Sequence, residues 1–247
     1  MNTTSFNAAV GHAPAQTENP PAVSVRVWDI PTRVFHWLMA LSFAGAYLTS
    51  ESERLRDLHV MLGTTVAGLI GFRLVWGLIG TRYARFSSFL FSPARLAAYL
   101  KSLLAGKPKH YLGHNPAGAL AIFLLLALGL ATVASGFATY QEMGGEWLEE
   151  FHEAVSGTML AVVVVHILGV GLSSALHREN LAKAMLTGKK RGAAGQGIAT
   201  GHRAIGVLLL LAVLAYWGGD RLLGSADGLA GAATGVRVES RHHSGQD

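Results

Sequence analysis

The segment that decides the fold is FHEAVSGTMLAVVVVHILGVGL, residues 151–172, which carries two histidines in an otherwise apolar run. His152 and His166 are 14 residues apart. In a helix that spacing corresponds to about 21 Å along the axis and places both rings on nearly the same face. One ring would therefore lie near each edge of the ~30 Å hydrocarbon core of a bilayer. Two histidines placed in this way predict partners at two depths elsewhere in the chain.

The composition of the chain is typical of a membrane protein. Of its 247 residues, 51% are hydrophobic and 14% are charged, whereas soluble proteins carry about 25% charged residues. The absence of cysteine excludes disulfides, thiolate metal sites, iron–sulfur clusters and covalently attached haem. The net charge of +5 comes from basic residues clustered between apolar runs, which indicates membrane orientation and not a nucleic-acid partner.

Five apolar runs are long enough to be predicted as membrane spans. They are residues 33–50, 58–80, 116–138, 150–174 and 203–219. Basic connections alternate with the acidic segment QEMGGEWLEE, which joins the third run to the fourth. The positive-inside rule therefore predicts a multi-pass membrane protein with its N-terminus in the cytoplasm. The amphipathic segment SPARLAAYLKSLL is predicted to lie on the cytoplasmic interface, because it is too short to cross.

The two ends of the chain are predicted to lie outside the membrane domain. Residues 1–24 lack the basic start and continuous apolar core of a signal peptide, so we expect a flexible cytoplasmic extension. Residues 25–191 form the predicted membrane domain, and residues 192–223 hold a linker and the fifth span. The Gly-, Ala- and Ser-rich stretch 224–247 is predicted to be a disordered tail. We therefore do not expect its His242 and His243 to bind a metal.

The predicted orientation sorts four intramembrane histidines into two levels. His59 and His152 lie near the outer ends of their spans, whereas His36 and His166 lie near the inner ends. Two histidines that face each other at one depth of a helical bundle provide bis-imidazole ligation of a haem iron. The sequence therefore predicts an all-α integral membrane four-helix bundle with two b-type haems, together with a fifth transmembrane helix.

Gly63 and Arg73 are further candidates for cofactor binding. Gly63 lies one turn after His59, where a missing side chain would let a flat macrocycle approach the backbone. Small residues also let transmembrane helices pack closely, so packing is the alternative role. Arg73 lies 14 residues after His59, near the inner level. It is expected either to pair with a haem propionate or to extend toward the inner interface.

Five segments of the chain carry a family resemblance. They are VRVWDIPTRVFHW (25–37), LHVMLGTTVAGLIGFRLVWGLIG (58–80), HNPAGAL (114–120), FHEAVSGTMLAVVVVHILGV (151–170) and SSALHRENLAKAMLTGKKR (173–191). Together they resemble the bacterial cytochrome b561 family, which includes the b-type cytochrome subunits of nickel–iron hydrogenases. The resemblance implies a four-helix bundle in which histidines of helices one, two and four hold two b haems. Those ligands match His36, His59, His152 and His166.

The resemblance implies electron transfer across the membrane between the quinone pool and a redox partner, with ubiquinone as a candidate substrate. The expected partner is a periplasmic cytochrome or an oxidoreductase, and a homodimer is also compatible with the sequence. An alternative function is that of a haem-bearing membrane anchor for a soluble oxidoreductase such as a hydrogenase. A histidine-based proton or solute transporter is the other alternative. It would need polar residues along a path and broken helices near the midplane, which are nearly absent here.

The sequence leaves two alternative roles for the residues that could exchange electrons and protons with partners. His110 and His114, on the predicted cytoplasmic side, either serve a quinone or are ordinary interface residues, and we favour the interface. We also assign His177, Arg178 and His202 to interfaces. The outer loop is acidic and contains Glu142, Glu146, Glu149 and Glu150. These carboxylates either attract a basic partner or only mark a non-cytoplasmic loop.

Overall fold

The computed structural model describes residues 23–107 and 109–219. The elements, in chain order, are β1 (Val23–Arg26), α1 (Ile30–Thr49), α2 (Arg56–Ile79), α3 (Pro93–Leu104), α4 (Pro116–Tyr140), α5 (Glu146–His177), α6 (Leu181–Thr187), β2 (Lys189–Gly192) and α7 (Arg203–Gly219). The all-α prediction is confirmed, since helices make up nearly all of the regular structure. Most of the predicted extension and the whole predicted tail, with His242 and His243, lie outside the described residues.

Three of the helices begin with the same local signal, a capping side chain followed by proline. The caps are Asp29, Ser92 and Asn115, for α1, α3 and α4 in that order. Each cap accepts a hydrogen bond from the backbone N–H three residues further on. Proline suits the first helical turn because its missing N–H would have no intrahelical acceptor there.

Three helices among the described residues are long and apolar enough to cross a membrane. They are Glu53–Ile79, which includes the turn that leads into α2, Pro116–Tyr140 and Glu146–His177. They correspond to the second, third and fourth predicted spans. α1, the first predicted span, is not among them, because Arg33 and His36 lower its mean hydropathy. α7 is a shorter apolar helix.

The helices pack as two hairpins that meet along one line. α1 packs against α2, α4 packs against α5, and α2 joins the two hairpins by its contact with α4. A buried cluster of Phe43, Val66, Ile70 and Met159 fills the junction. At Gly129 of α4, a Cβ would lie 2.9 Å from Ile70 Cδ1. A glycine therefore lets α2 and α4 approach at this point.

α7 runs beside α1 in the same direction. At its start, a Cβ on Gly206 would lie 2.6 Å from Ile30 Cγ2, at the first residue of α1. At its end, Trp217 packs on Ala46 and Met61 and donates a 2.9 Å hydrogen bond from Nε1 to Thr65 Oγ1. α7 therefore covers most of the depth of α1. The helix predicted at 203–219 is present, and its crossing of the membrane stays a prediction.

A small ordered layer covers the end of the bundle at which α1 begins. β1 pairs antiparallel with β2, from Val23 opposite Gly192 to Arg26 opposite Lys189. The Ile30 N–H then donates to the carbonyl of Gly201 at 3.0 Å. β1 begins at Val23, so the last two residues of the predicted extension belong to this sheet. The start of the predicted linker, 193–202, is likewise held against the bundle.

The fold predicts on which side of the membrane each connection lies. We expect cysteines introduced by Lys107→Cys and Lys189→Cys to react from one side, and those introduced by Met143→Cys and Gly218→Cys from the other. The reason is that α4 and α5 are an antiparallel hairpin, while α7 runs parallel to α1. A membrane-impermeant maleimide, applied to right-side-out and inverted vesicles, reads the sidedness directly, because the chain has no other cysteine. If Gly218→Cys reacts from the same side as Lys189→Cys, α7 does not cross.

Candidate functional site

His59 of α2 and His152 of α5 face each other across the bundle. Their ring centroids are 6.3 Å apart and their planes are nearly perpendicular, at 83°. His59 Nδ1 lies 2.8 Å from the carbonyl oxygen of Ala46, and His152 Nδ1 lies 3.0 Å from that of Thr132. A carbonyl only accepts hydrogen bonds, so each Nδ1 carries the proton and donates it. The Nε2 atom of each ring therefore keeps its lone pair for a metal.

The carbonyl that orients His59 is available because of how α1 ends. In a regular helix, the N–H of Ser50 would donate to the carbonyl of Ala46. Here it donates to the carbonyl of Tyr47, one residue further along. The Ala46 carbonyl is thereby left for side chains, and it accepts from His59 Nδ1 and from Thr49 Oγ1. The end of one helix thus sets the ring of a histidine on the next.

Gly136 makes room for the ring of His152. A Cβ at Gly136 would lie 2.7 Å from His152 Cε1, closer than real contacts allow. α4, which has no histidine, therefore contributes a glycine, the Thr132 carbonyl and the Ser135 hydroxyl to this site. Gly63 and Gly157, four and five residues after the two histidines, have no atom within 4 Å of where a Cβ would be. Open space beside both ligands fits a bulky planar group, and a role of Gly63 in binding it stays a prediction.

A cavity of about 270 Å³ reaches both rings. It is lined by His59, His152 and Gly136, and toward solvent by the connection between α1 and α2. The exposed guanidinium of Arg56 lies on this rim beside Glu51 and Glu53. Arg56 is the basic residue nearest to His59 in the segment ESERLRD, but the sequence alone did not mark it as a candidate for cofactor binding. Among the residues that line the cavity, Arg56 carries the positive charge that would pair with a carboxylate of a bound group.

His36 of α1 and His166 of α5 are the second predicted pair. The two rings are near enough to interact electrostatically. Nδ1 of His36 is buried and has no hydrogen-bond partner within the described ranges. Buried polar atoms are rarely left unpaired, and lipid offers no partner either. This unpaired atom, next to a second imidazole, fits a site that binds a group from outside the chain.

Arg73 is buried close to His114 but has partners within the protein. Its side chain donates from Nη1 to the carbonyl of Ala84 at 2.9 Å. The guanidinium carbon lies 4.9 Å from the ring centroid of Phe86, and the buried carboxylate of Asp29 interacts with its charge. The guanidinium has five N–H donors, so these contacts leave some for another acceptor. The propionate contact of Arg73 stays a prediction.

His114 is partly buried between aromatic rings, and its assignment to the membrane interface stays a prediction. Its ring lies beside Trp28 and Phe89, at centroid distances of 4.6 Å and 4.4 Å. Burial, together with the positive charges of Arg73 and Lys190 and the neighbouring His166, lowers its pKa to about 3. The imidazole is therefore neutral at physiological pH. No local pattern predicts these contacts, because the two aromatic rings come from distant segments.

The other candidate histidines are not brought into either pair. His110 is half exposed, and its Nε2 lies 3.4 Å from Glu179 Oε2. His177 Nδ1 donates to the carbonyl of Ser173 at 2.9 Å, and His202 packs edge-on against Trp76. Among the described residues, no three His, Asp or Glu side chains are grouped so that they could hold a bare metal ion. Two imidazole pairs fit haem better, because a porphyrin supplies the other four iron ligands.

Comparison with known proteins agrees with this geometry. Residues 27–188, which include all four paired histidines, match a family model described as prokaryotic cytochrome b561. A probable Ni/Fe-hydrogenase B-type cytochrome subunit of Rhizobium leguminosarum bv. viciae is 25% identical over 214 residues, covering 68% of this chain and 89% of that protein. The protein of the same description from Azotobacter vinelandii is 32% identical over 148 residues, covering 48% and 60%.

A third similar protein comes from Escherichia coli (strain K12). It is described as a probable Ni/Fe-hydrogenase 1 B-type cytochrome subunit and is 24% identical over 194 residues, covering 65% of this chain and 82% of its own. No solved structure matches the chain.

The contact at Gly136 predicts a selective loss of one site. Gly136→Ala should displace the ring of His152, since overpacking of this kind typically costs about 1–3 kcal/mol. We expect the amount of haem per chain to fall, with loss of one low-spin ferric signal in electron paramagnetic resonance. Ala134→Ser, on the exposed side of the same helix, is the matched control and should retain both. Unchanged haem content and spectrum in Gly136→Ala would contradict this role of the glycine.

Proposed function

Because the chain belongs to the prokaryotic cytochrome b561 family, and is therefore a haem-binding membrane cytochrome, we propose that it holds two b-type haems and carries electrons across the bacterial inner membrane. The observation that carries the proposal is that His59 and His152 face each other across the bundle, while His36 and His166 lie near enough to each other to interact. When bound, each haem supplies a one-electron carrier whose two axial positions are filled. The chain itself sets the ligands, the spacing and the exclusion of water.

Two separate haems follow from the spacing of the pairs. His152 and His166 both belong to the continuous helix α5 and are 14 residues apart, or about 21 Å along its axis. Two imidazoles that share one iron approach it to about 2 Å each. One iron therefore cannot take a ligand from each level. The ligand sets that we propose are His59 with His152, and His36 with His166.

We propose that Arg73 and Arg56 pair with carboxylates of the bound groups. Arg73 lies close to His114, which neighbours His166, and it is almost fully buried, so a charged partner would offset part of the penalty of its burial. Arg56 lies on the rim of the cavity at the first pair. A guanidinium binds a carboxylate through two hydrogen bonds, which would also fix the orientation of the bound group.

The pair His59–His152 faces the periplasm in the orientation that we propose. Basic residues gather at the opposite end of the bundle, on the connection between α2 and α4 and on α6, and the positive-inside rule assigns such segments to the cytoplasm. The redox partner at the outer end is a hydrogenase or another oxidoreductase, or a periplasmic cytochrome. Of these partners we favour a hydrogenase, because the similar proteins are described as probable Ni/Fe-hydrogenase B-type cytochrome subunits. A homodimer stays a prediction from the sequence.

We place quinone exchange at the inner end, close to His114. This imidazole is partly buried, its Nδ1 has no partner among the described residues, and it lies close enough to His166 to interact with it. A neutral imidazole donates one hydrogen bond and accepts another, so it is able to hold a quinone oxygen or pass a proton. His110 is less suited, because it is exposed and is already paired with Glu179.

The first test of the proposal is the number and grouping of the haems. A pyridine haemochrome assay on the purified chain should return two haems per protein. His59→Ala and His152→Ala should each remove one low-spin ferric signal in electron paramagnetic resonance, and His36→Ala and His166→Ala the other. His110→Ala is the control and should retain both signals.

Two outcomes contradict the haem assignment. A single haem per chain in the unmodified protein would remove one of the two sites. Grouping of His36 with His152, against His59 with His166, would contradict the pairs themselves.

The second test addresses the quinone. His114→Phe keeps a ring of similar size but removes both nitrogens, and we expect about a 100-fold slower reduction of the protein by ubiquinol, the magnitude typical of a lost proton-transfer group. Reduction by dithionite should give an unchanged spectrum, which shows that both haems are bound. His110→Phe is the matched control. No reduction of the unmodified protein by quinol would favour a passive anchor, and an unchanged rate in His114→Phe would exclude this residue.

A further inference from the structure

A groove on the outside of the bundle has no part in the histidine sites. It lies between α1, α6 and α7 and has a volume of about 250 Å³. Its apolar wall includes Val34, Trp37 and Leu41 of α1, Leu186 of α6 and Leu210 of α7. Leu41 is 65% exposed and Leu186 56% exposed, so the groove opens to the surroundings of the bundle. From Ile30 to Leu41, it follows α1 for about 16 Å.

The end of the groove near α6 is positively charged. Arg33 lines it and donates from Nε to the carbonyl of Met185 at 3.3 Å and from Nη2 to that of Leu186. Both acceptors are neutral, and the positive charge of Arg26 acts on Arg33 from β1. Within the described ranges, neither arginine forms an ion pair, because the ion pairs found there all involve Glu179.

The charges on the neighbouring elements do not neutralise this end. Lys183 of α6, Lys189 of β2 and Arg203 of α7 add further positive charge to the segments that surround it. Asp29 is the acidic residue on the same turn of chain, but its buried carboxylate accepts hydrogen bonds from Thr32, Trp76 and Thr81. An apolar wall next to an uncompensated cationic end is the pattern expected for an anionic amphiphile.

We propose that this groove binds one anionic phospholipid, with its phosphate at Arg33 and an acyl chain along the apolar wall. The lipid belongs to the leaflet at the α6 end of the bundle, which is the cytoplasmic leaflet in the orientation proposed above. Trp37, at the edge of the groove, is of the residue type that is enriched at the membrane interface. The site depends only on the membrane location of the chain and is independent of the haem and quinone assignments.

A lipid fits the groove better than two other occupants. A partner helix would cover the apolar wall but would not by itself neutralise Arg33. A free phosphate ion would use Arg33 but would leave the apolar wall uncovered. The lipid is the occupant that accounts for both parts.

The test is competition between two lipids with identical acyl chains. The purified full-length protein is incubated with equal amounts of phosphatidylglycerol and phosphatidylcholine, and the retained lipid is identified by native mass spectrometry. We expect one phosphatidylglycerol to be retained in preference. Arg33→Gln should reduce the preference about fivefold, the effect of one basic residue near an anionic headgroup. Arg95→Gln, an equal loss of charge on the exposed face of α3, should not.

A second variant tests the apolar wall without changing the charge. Leu210→Trp fills the groove and leaves Arg33 in place, so it should reduce retention of both lipids. Intact haem absorbance shows that each variant is folded. Three outcomes would each overturn the proposal. They are equal retention of the two lipids by the unmodified protein, equal effects of Arg33→Gln and Arg95→Gln, and full retention of lipid in Leu210→Trp. Displacement of the lipid by glycerol phosphate at similar concentration would also overturn it, because the site would then be one for a simple anion.

Discussion

The structure depends on one constraint, which is that a ring nitrogen inside a membrane needs a partner that lipid does not provide. At the His59–His152 site, two backbone carbonyls meet this need on one side of each ring. They come from α1 and α4, whereas the histidines come from α2 and α5. All four helices of the two hairpins therefore define a single pair of imidazoles. A metal that binds this pair also joins the two hairpins, so ligand binding and bundle stability are linked.

The two ends of the bundle meet the same constraint in different ways. At the first pair, neutral carbonyls orient the rings, and a cavity extends to the rim at Arg56. Beside the second predicted pair, His114 has the positive charges of Arg73 and Lys190 close to it. If both pairs bind haem as we propose, such different surroundings are expected to give the two haems different reduction potentials.

The sequence predicted those parts of the fold that rest on local or periodic signals. The apolar runs and the two levels of histidine could both be read from spacing. It did not predict β1 and β2, because strands of four residues that pair across more than 160 positions leave no local pattern. The aromatic contacts of His114 were missed for the same reason. Gly136 was visible only as one glycine of many, since a clash with a ring on α5 is a property of packing.

The pairing of β1 with β2 has a consequence for how the protein is made. Arg26 leaves the ribosome early, and its strand partner Lys189 is translated only after α1 to α6. At a synthesis rate of about 5–20 residues per second, the first strand waits roughly 10–30 s for the second. During that time, α1 is in the membrane with His36 but without the helix that carries His166. The sheet can therefore close only after the helices that carry all four paired histidines have been translated.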